Sequence, residues 1–181
     1  MESGSDNALM LKVCSGDLDK LGLLFERHKT ALFGYFYRIT GRAEISEDLV
    51  QNVFLRILRY RSQFTGDGRF ATWMYHIAHN VCADHFKKMG ARATGGGFSS
   101  VTQEDGETPE VRLLIDECLQ RAEEALGQLR ADQREILVLS RYQGLNSREI
   151  GQILGCSVGT VRVRVFRAIT SLRQVYAELE G

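Results

Sequence analysis

Residues 146–172 read NSREIGQILGCSVGTVRVRVFRAITSL, and this run decides the fold. Asn146 is placed to cap a helix, and Glu149 three residues later completes a capping box. Ile150, Ile153 and Leu154 follow on one face at helical spacing. Gly155 can adopt the left-handed conformation that ends a helix, and Ser157 is an N-cap for the next one. In that second helix Val161, Val165, Ala168 and Leu172 recur as a buried stripe. Thr160, Val163, Arg164 and Arg167 share another face, flanked by Arg162, with Arg173 further on, and no acid interrupts residues 157–176. Two short helices, a tight turn and a basic second helix form the pattern of a helix-turn-helix that enters the major groove of double-stranded DNA. Arginines on such a face read guanine edges or bind phosphate, and Val163 suits a thymine methyl.

Working outward, the rest of the chain reads as all-helical. It has 181 residues, one proline (Pro109) and little strand-like alternation. Helical blocks are expected at about residues 7–88 and 111–179. Between them GARATGGGFSSVTQEDGETPE, within residues 89–110, has the Gly, Ser, Thr and acid content of a flexible linker. The expected domains are therefore 1–88 and 111–181. In the first block Leu18, Leu21, Leu24, Phe25, Leu32, Phe33, Phe36 and Ile39 outline a long amphipathic helix or a bent pair ending at Gly41. Glu44, Ser46, Glu47 and Asp48 are expected to open the next helix, as its dipole favours. That helix should bury Leu49, Val50, Val53, Phe54, Ile57 and Leu58. Its opposite face carries Asp48, Gln51, Asn52, Leu55, Arg56 and Arg59, where Leu55 is an apolar residue among polar ones and suits a protein-binding surface.

The next helix, Arg69 to Lys88, mixes Phe70, Trp73, Tyr75 and Phe86 with His76, His79, Asn80, His85, Lys87 and Lys88. Rings that stack on bases beside cations that hold a backbone suit single-stranded nucleic acid. Trp73, Ile77 and Val81, at i, i+4 and i+8, also read as core, and that reading is preferred for Trp73. His76, His79, Cys82 and His85 do not read as a metal site, because each i+3 step rotates by about 60° on a helix of ~3.6 residues per turn. The cysteines, Cys14, Cys82, Cys118 and Cys156, form no C-x-x-C pair and read as small apolar residues in a reducing compartment.

Charge sums to zero, with 23 Lys and Arg against 23 Asp and Glu, but is uneven: residues 1–95 hold 13 against 10, residues 96–130 hold 3 against 8, and residues 131–181 hold 7 against 5. Tight DNA binding needs many cationic contacts. Such a chain should bind DNA weakly alone, and so either dimerises or works with a larger partner. No apolar run approaches the ~20 residues that span a bilayer, and the N-terminus has no secretory-signal pattern, so a cytoplasmic protein is expected. The sequence has no P-loop, G-x-S-x-G, H-E-x-x-H or dinucleotide turn. No enzyme, cofactor or metal is expected.

ISEDLVQNVFLRILRYRSQF, FATWMYHIAHNVCADHFKK and LGQLRADQREILVLSRYQGLNSREIGQILGCSVGTVRVRVFRAITSLR, in that order, resemble an extracytoplasmic-function (ECF) sigma factor of bacterial RNA polymerase. The resemblance spans nearly the whole chain. It implies a sigma-2-like domain at 1–88, an acidic linker near the RNA exit path, and a sigma-4-like domain at 111–181. The implied function is to bind core RNA polymerase and direct promoter-specific initiation. On this reading Asp48, Gln51, Asn52, Leu55 and Arg56 dock on the β′ clamp helices. His76, His79, Asn80, Asp84, Lys87 and Lys88 meet the −10 element, with Asn80 and Asp84 next to a flipped-base pocket. Ser157, Thr160, Arg162, Val163, Arg164 and Arg167 meet the −35 element, and the second domain contacts the β flap. An anti-sigma factor is the further partner implied. His76 and His79 depart from the usual basic or polar residues there, and Val163 from the usual small polar one, which alters the promoter sequence read rather than the class. The competing reading is a stand-alone dimeric helix-turn-helix regulator on a palindromic operator.

Overall fold

A computed structural model describes residues 4–90 and 109–180, with the side chains of 109–118 and 180 outside the described set. The described residues form eight α-helices and one 3-10 turn. The first group comprises α1 (Asp6–Cys14), α2 (Asp19–Thr40), α3 (Ala43–Arg59), the turn Arg61–Gln63 and α4 (Phe70–Met89). The second comprises α5 (Pro109–Gln128), α6 (Ala131–Arg141), α7 (Ser147–Leu154) and α8 (Val158–Glu180). The expected linker falls mostly on residues outside the described set; at its edges α4 runs through Met89 and α5 begins at Pro109.

The apolar stripes read from the sequence explain most of the packing. Leu24, Leu32, Phe36 and Ile39 of α2 meet Leu49, Val50, Val53, Phe54 and Ile57 of α3, all buried. Leu18 is exposed and Leu58 half-buried, so neither belongs to the core. α2 is one straight-through helix, closed by Gly41 in the left-handed conformation. α3 starts at Ala43, three residues before Ser46. Ser46 is fully buried, and its hydroxyl donates 2.6 Å back to the Arg42 carbonyl one turn earlier instead of capping. A serine inside a helix commonly bonds in this way. α1 supplies Leu9, Met10 and Val13, none more than 1% exposed, to the same core.

The helix-turn-helix is built as its sequence dictates. The Asn146 side chain accepts from the Arg148 and Glu149 amides, and the Glu149 carboxylate returns a bond to the Asn146 amide, a complete capping box. Gly155 ends α7 at φ 64°. The Ser157 hydroxyl accepts from the Thr160 amide at 3.1 Å, capping α8. Gly151 sets how closely the two helices approach: a Cβ there would stand 2.6 Å from the Cys156 carbonyl oxygen. Val161 and Ala168 are fully buried, while Val165 and Leu172 are half-buried at the edge of the stripe.

The two groups share one hydrophobic cluster, with α6 and α5 against α2 and α7 against α4. Among the described residues no helix is long and apolar enough to cross a membrane. Of the described cysteines, Cys82 is buried, which pushes its thiol well up. Cys14 is half-buried, its sulfur 2.9 Å from the Arg61 carbonyl.

Candidate nucleic-acid interface

Three surfaces carry the residues singled out from the sequence. On α8, Arg162, Val163, Arg164 and Arg167 are exposed, Val163 at 49%. Thr160 is half-buried, its hydroxyl 2.9 Å from that of Ser157. No acid pairs with these arginines among the described residues. At 100° per residue, Thr160, Val163, Arg164 and Arg167 lie on one side of α8 and Arg162 on the other. Arg162 instead lines a groove of about 470 Å³ with Ser147, Ile150, Val165, Phe166 and Ile169. Phe166, 72% exposed, is the largest apolar group on this side. The sequence reading passed over it, although a phenylalanine between arginines is itself a signal.

On α3, Leu55 is 67% exposed, with Asp48 and Gln51 exposed and Asn52 and Arg56 half-buried around it. The apolar residue among polar ones is therefore a true surface feature. Gln51 also borders a groove between α2 and α3, lined by Phe25, Lys29, Thr30, Phe33, Glu47 and Val50. Arg56 donates to Asn52 at 3.2 Å and to Asp84 of α4 at 2.8 Å. This guanidinium holds the Asp84 carboxyl below its ordinary value. Arg56 thus joins two surfaces that the sequence kept apart.

On α4, Asn80, Lys87 and Lys88 are exposed at the helix's far end, and Asp84 is held against Arg56. His76 bridges the Ile153 carbonyl (Nδ1, 3.3 Å) and the Asn80 amide (Nε2, 3.3 Å). One neutral tautomer, protonated at Nδ1, satisfies both, because a carbonyl only accepts. Trp73 is half-buried rather than core: it packs on Phe64 and Phe70 and lines a pocket of about 330 Å³ with Gln63, Thr65, Arg69, Thr72 and His76. Gln152 of α7 closes part of that pocket's wall.

His79 Nδ1 lies 2.7 Å from Glu135 Oε1, and the carboxylate raises its pKa above the ordinary 6.5, against the opposing effect of burial. A group raised in the folded state stabilises it fully below its unfolded value, and the contribution fades as pH climbs through the folded value. The melting temperature of the wild type should therefore exceed that of His79→Asn most below pH 6.5, with the gap closing at higher pH. A gap that widens with pH would reject the charged pair.

His76, His79, Cys82 and His85 do not converge: His76 and His79 have separate partners on α7 and α6, and His85 packs on Phe86. No group of three or more ligating side chains able to hold a metal occurs among the described residues.

Comparison with known proteins gives these surfaces a family. The Sigma-70 region 2 model matches residues 24–92, and the Sigma-70, region 4 model matches residues 119–172. The chain is 33% identical over 175 residues to the RNA polymerase sigma-H factor of Pseudomonas aeruginosa, covering 90% of this chain and 89% of that one. It is 32% identical over 171 residues to the RNA polymerase sigma factor CarQ of Myxococcus xanthus (91% and 94% covered). It is 30% identical over 176 residues to the ECF RNA polymerase sigma-E factor of Escherichia coli (92% of each). The fold is shared with CnrH, solved with the cytosolic domain of CnrY (TM-score 0.72, 23% identity, 97% and 99% covered). It is also shared with the sigma factor RpoE of Bartonella quintana, solved with the anti-sigma factor NepR (TM-score 0.65, 24% identity, 85% and 94% covered). The chain belongs to the sigma-70 family, in its ECF branch, and is an alternative sigma factor that directs transcription. The stand-alone regulator is not favoured.

Proposed function

We propose a division of labour among the three surfaces. The Leu55 face of α3, with Asp48, Gln51, Asn52 and Arg56, docks on the β′ clamp helices of core RNA polymerase. The α4 surface, His76, His79, Asn80, Asp84, Lys87 and Lys88, meets the opened −10 element, and the Trp73 pocket receives an unstacked base. Unstacking a base costs a few kcal/mol, which a fitted aromatic pocket offsets. Ser157, Thr160, Val163, Arg164 and Arg167 read the −35 element in the major groove, with Arg162, on the other side of α8, at most a peripheral contact, and the second domain meets the β flap. The domains take the bounds 1–88 and 111–181, joined by an acidic linker. The chain acts in the cytoplasm, without catalysis or cofactor, and an anti-sigma factor restrains it, as NepR is solved on RpoE.

The observation that carries this reading is α8. An acid-free basic face stands clear of the core immediately after a capped turn, with Val163, Arg164 and Arg167 in the open. Run-off transcription with bacterial core polymerase on a pooled promoter library tests it. New transcripts sharing two spaced elements are expected; none, together with no co-elution with core, would reject it.

The docking face has its own test. Leu55→Arg puts a cation where an apolar contact is buried, and truncating or charging a central contact typically costs about 2 kcal/mol or more. Core affinity should fall about thirty-fold, by ~1.4 kcal/mol per decade. Equal retention of the variant on immobilised core would remove α3 from the docking surface.

A further inference from the structure

The first helix, α1, has a second working side. Leu9, Met10 and Val13 bury one side of it in the core. Asn7, Leu11 and Cys14, at i, i+4 and i+7, share a neighbouring side, within about 60° of one another on a helix of ~3.6 residues per turn. All three meet the stretch of chain that joins α3 to α4. Asn7 Oδ1 accepts from the Phe70 amide at 2.7 Å, while Nδ2 donates to the Gly68 carbonyl at 2.7 Å and to that of Gly66 at 3.4 Å. A backbone N–H only donates and a carbonyl only accepts, so these partners fix which way round the Asn7 amide lies. A Cβ on Gly66 would stand 3.5 Å from Leu11 Cδ1, so the leucine sits over that glycine. Cys14 Sγ lies 2.9 Å from the Arg61 carbonyl oxygen and 3.9 Å from that of Phe64.

The stretch so held has little stiffness of its own. Residues 64–69 form neither helix nor strand, and they include Gly66, at φ 83°, and Gly68. Glycine has the weakest conformational preference of any residue. Yet residues 63–66, 68 and 69 line the Trp73 pocket, together with Thr72, Trp73 and His76. A pocket that discriminates between bases needs its walls held to within about 0.5 Å.

The holding helix is itself anchored. The Asp6 carboxylate accepts from Arg27 at 2.9 Å and meets His28 Nε2 at 2.8 Å, and Arg27 also donates to the Gly4 carbonyl at 2.8 Å. The His28 ring packs on Phe70, with centroids 5.4 Å apart. Phe70 is thus gripped at its amide by α1 and at its ring by α2.

We propose that Asn7, Leu11 and Cys14 are positioning residues for −10 recognition: from outside the Trp73 pocket they fix the backbone of residues 61–70, and so set which base the pocket accepts. This rests on the reading of that pocket as the seat of an unstacked base. The three side chains stand outside the pocket lining, so each acts through the loop.

The test uses holoenzyme assembled from the full chain and bacterial core polymerase. It selects bound duplexes from a library randomised through both promoter elements, and sequencing the bound pool reads base preference position by position. A base that is read is preferred about ten-fold or more over its rivals. Trp73→Leu keeps apolar bulk against Phe64 and Phe70 but removes the stacking ring. The −10 position whose preference it erases is the one that the pocket reads. Asn7→Asp can still accept from the Phe70 amide but sets a carboxylate against two carbonyls. Leu11→Ala uncovers Gly66, and Cys14→Val removes the thiol donor at nearly constant volume. Each should flatten the preference at that same position while the −35 preferences keep their wild-type strength. Cys14→Ser retains a donor for the Arg61 carbonyl and should retain the preference.

If the Asn7, Leu11 and Cys14 variants keep the preference that Trp73→Leu loses, the proposal is overturned and the pocket reading stands. Equal loss of −10 and −35 preference would make α1 a brace for the fold alone and overturn it too. Should Trp73→Leu leave every −10 preference intact, the pocket reading falls and the proposal with it.

Discussion

Replacing Arg164 and Arg167 together by alanine is expected to abolish −35 recognition while leaving the fold intact. Each arginine that makes a bidentate base contact contributes about 1–3 kcal/mol. The pair should therefore cost at least about 2 kcal/mol, some thirty-fold in promoter affinity. The structure separates this effect from instability. Both side chains are exposed, and α8 is anchored by Val161 and Ala168 on its other side. Exposed substitutions of this kind shift stability by about 0.5 kcal/mol or less, and alanine favours a helix. The melting temperature should hold while footprint protection at the upstream element disappears. Arg162→Ala is the internal control: it lines the Phe166 groove rather than the Thr160–Arg167 face, so its loss should be smaller. Salt titration gives a second reading. Base contacts removed alone change affinity at every salt concentration, whereas lost phosphate contacts also flatten the slope, by about one per contact. Full upstream protection by the double variant would reject the assignment of α8.

Much of this was legible because the decisive signals are local. A capping box spans four residues, and Asn146 and Glu149 form it as the sequence dictates. Gly155 turns where a left-handed residue is needed, and Val161 and Ala168 face inward where the helical period puts them. Leu55 was legible as a misfit on a polar face. What escaped the sequence is what depends on distant partners. Glu149 reads as a cap, yet it also bonds Thr72, 77 residues away. Glu135 carries no local signal in the sequence, yet it joins Tyr35 and His79, 100 and 56 positions off. Ser46 looked like a helix start because serine often caps; burial turned its hydroxyl back onto Arg42. Trp73 has core spacing, but the packing leaves one side of the ring to a pocket. Periodicity tells which face is apolar and says nothing of where a polar group's partner lies.

Arg134 is the clearest product of such distant partnering, and Arg134→Ala should cost about 2–4 kcal/mol, because three carbonyls lose charge-assisted hydrogen bonds and each part-buried acceptor left without a partner costs about 1–3 kcal/mol at most. Its Nη1 donates to the Ile39 carbonyl at 2.7 Å, and its Nη2 to the Gly127 carbonyl and to that of Leu129 at 2.9 Å. Ile39 lies in the last turn of α2, Gly127 in the last turn of α5, and Leu129 just beyond it. Helix C-termini expose unpaired carbonyls and partial negative charge, so one guanidinium answers three of them across both groups of helices. Burial lowers its pKa from the ordinary value, and its buried Nε has no hydrogen-bond partner. The charge is thus held at a cost that the carbonyls offset. Arg134→Lys should not rescue, because a single ammonium lacks the fork that spans separate acceptors. Urea denaturation followed by circular dichroism checks the magnitude. Because Arg134 ties α2 to α5 and α6, the variant should also lose cooperativity, unfolding in two steps where a coupled chain unfolds in one. A variant as stable as the wild type, still melting in one step, would mean that the three carbonyls find other partners and that Arg134 does not join the two halves.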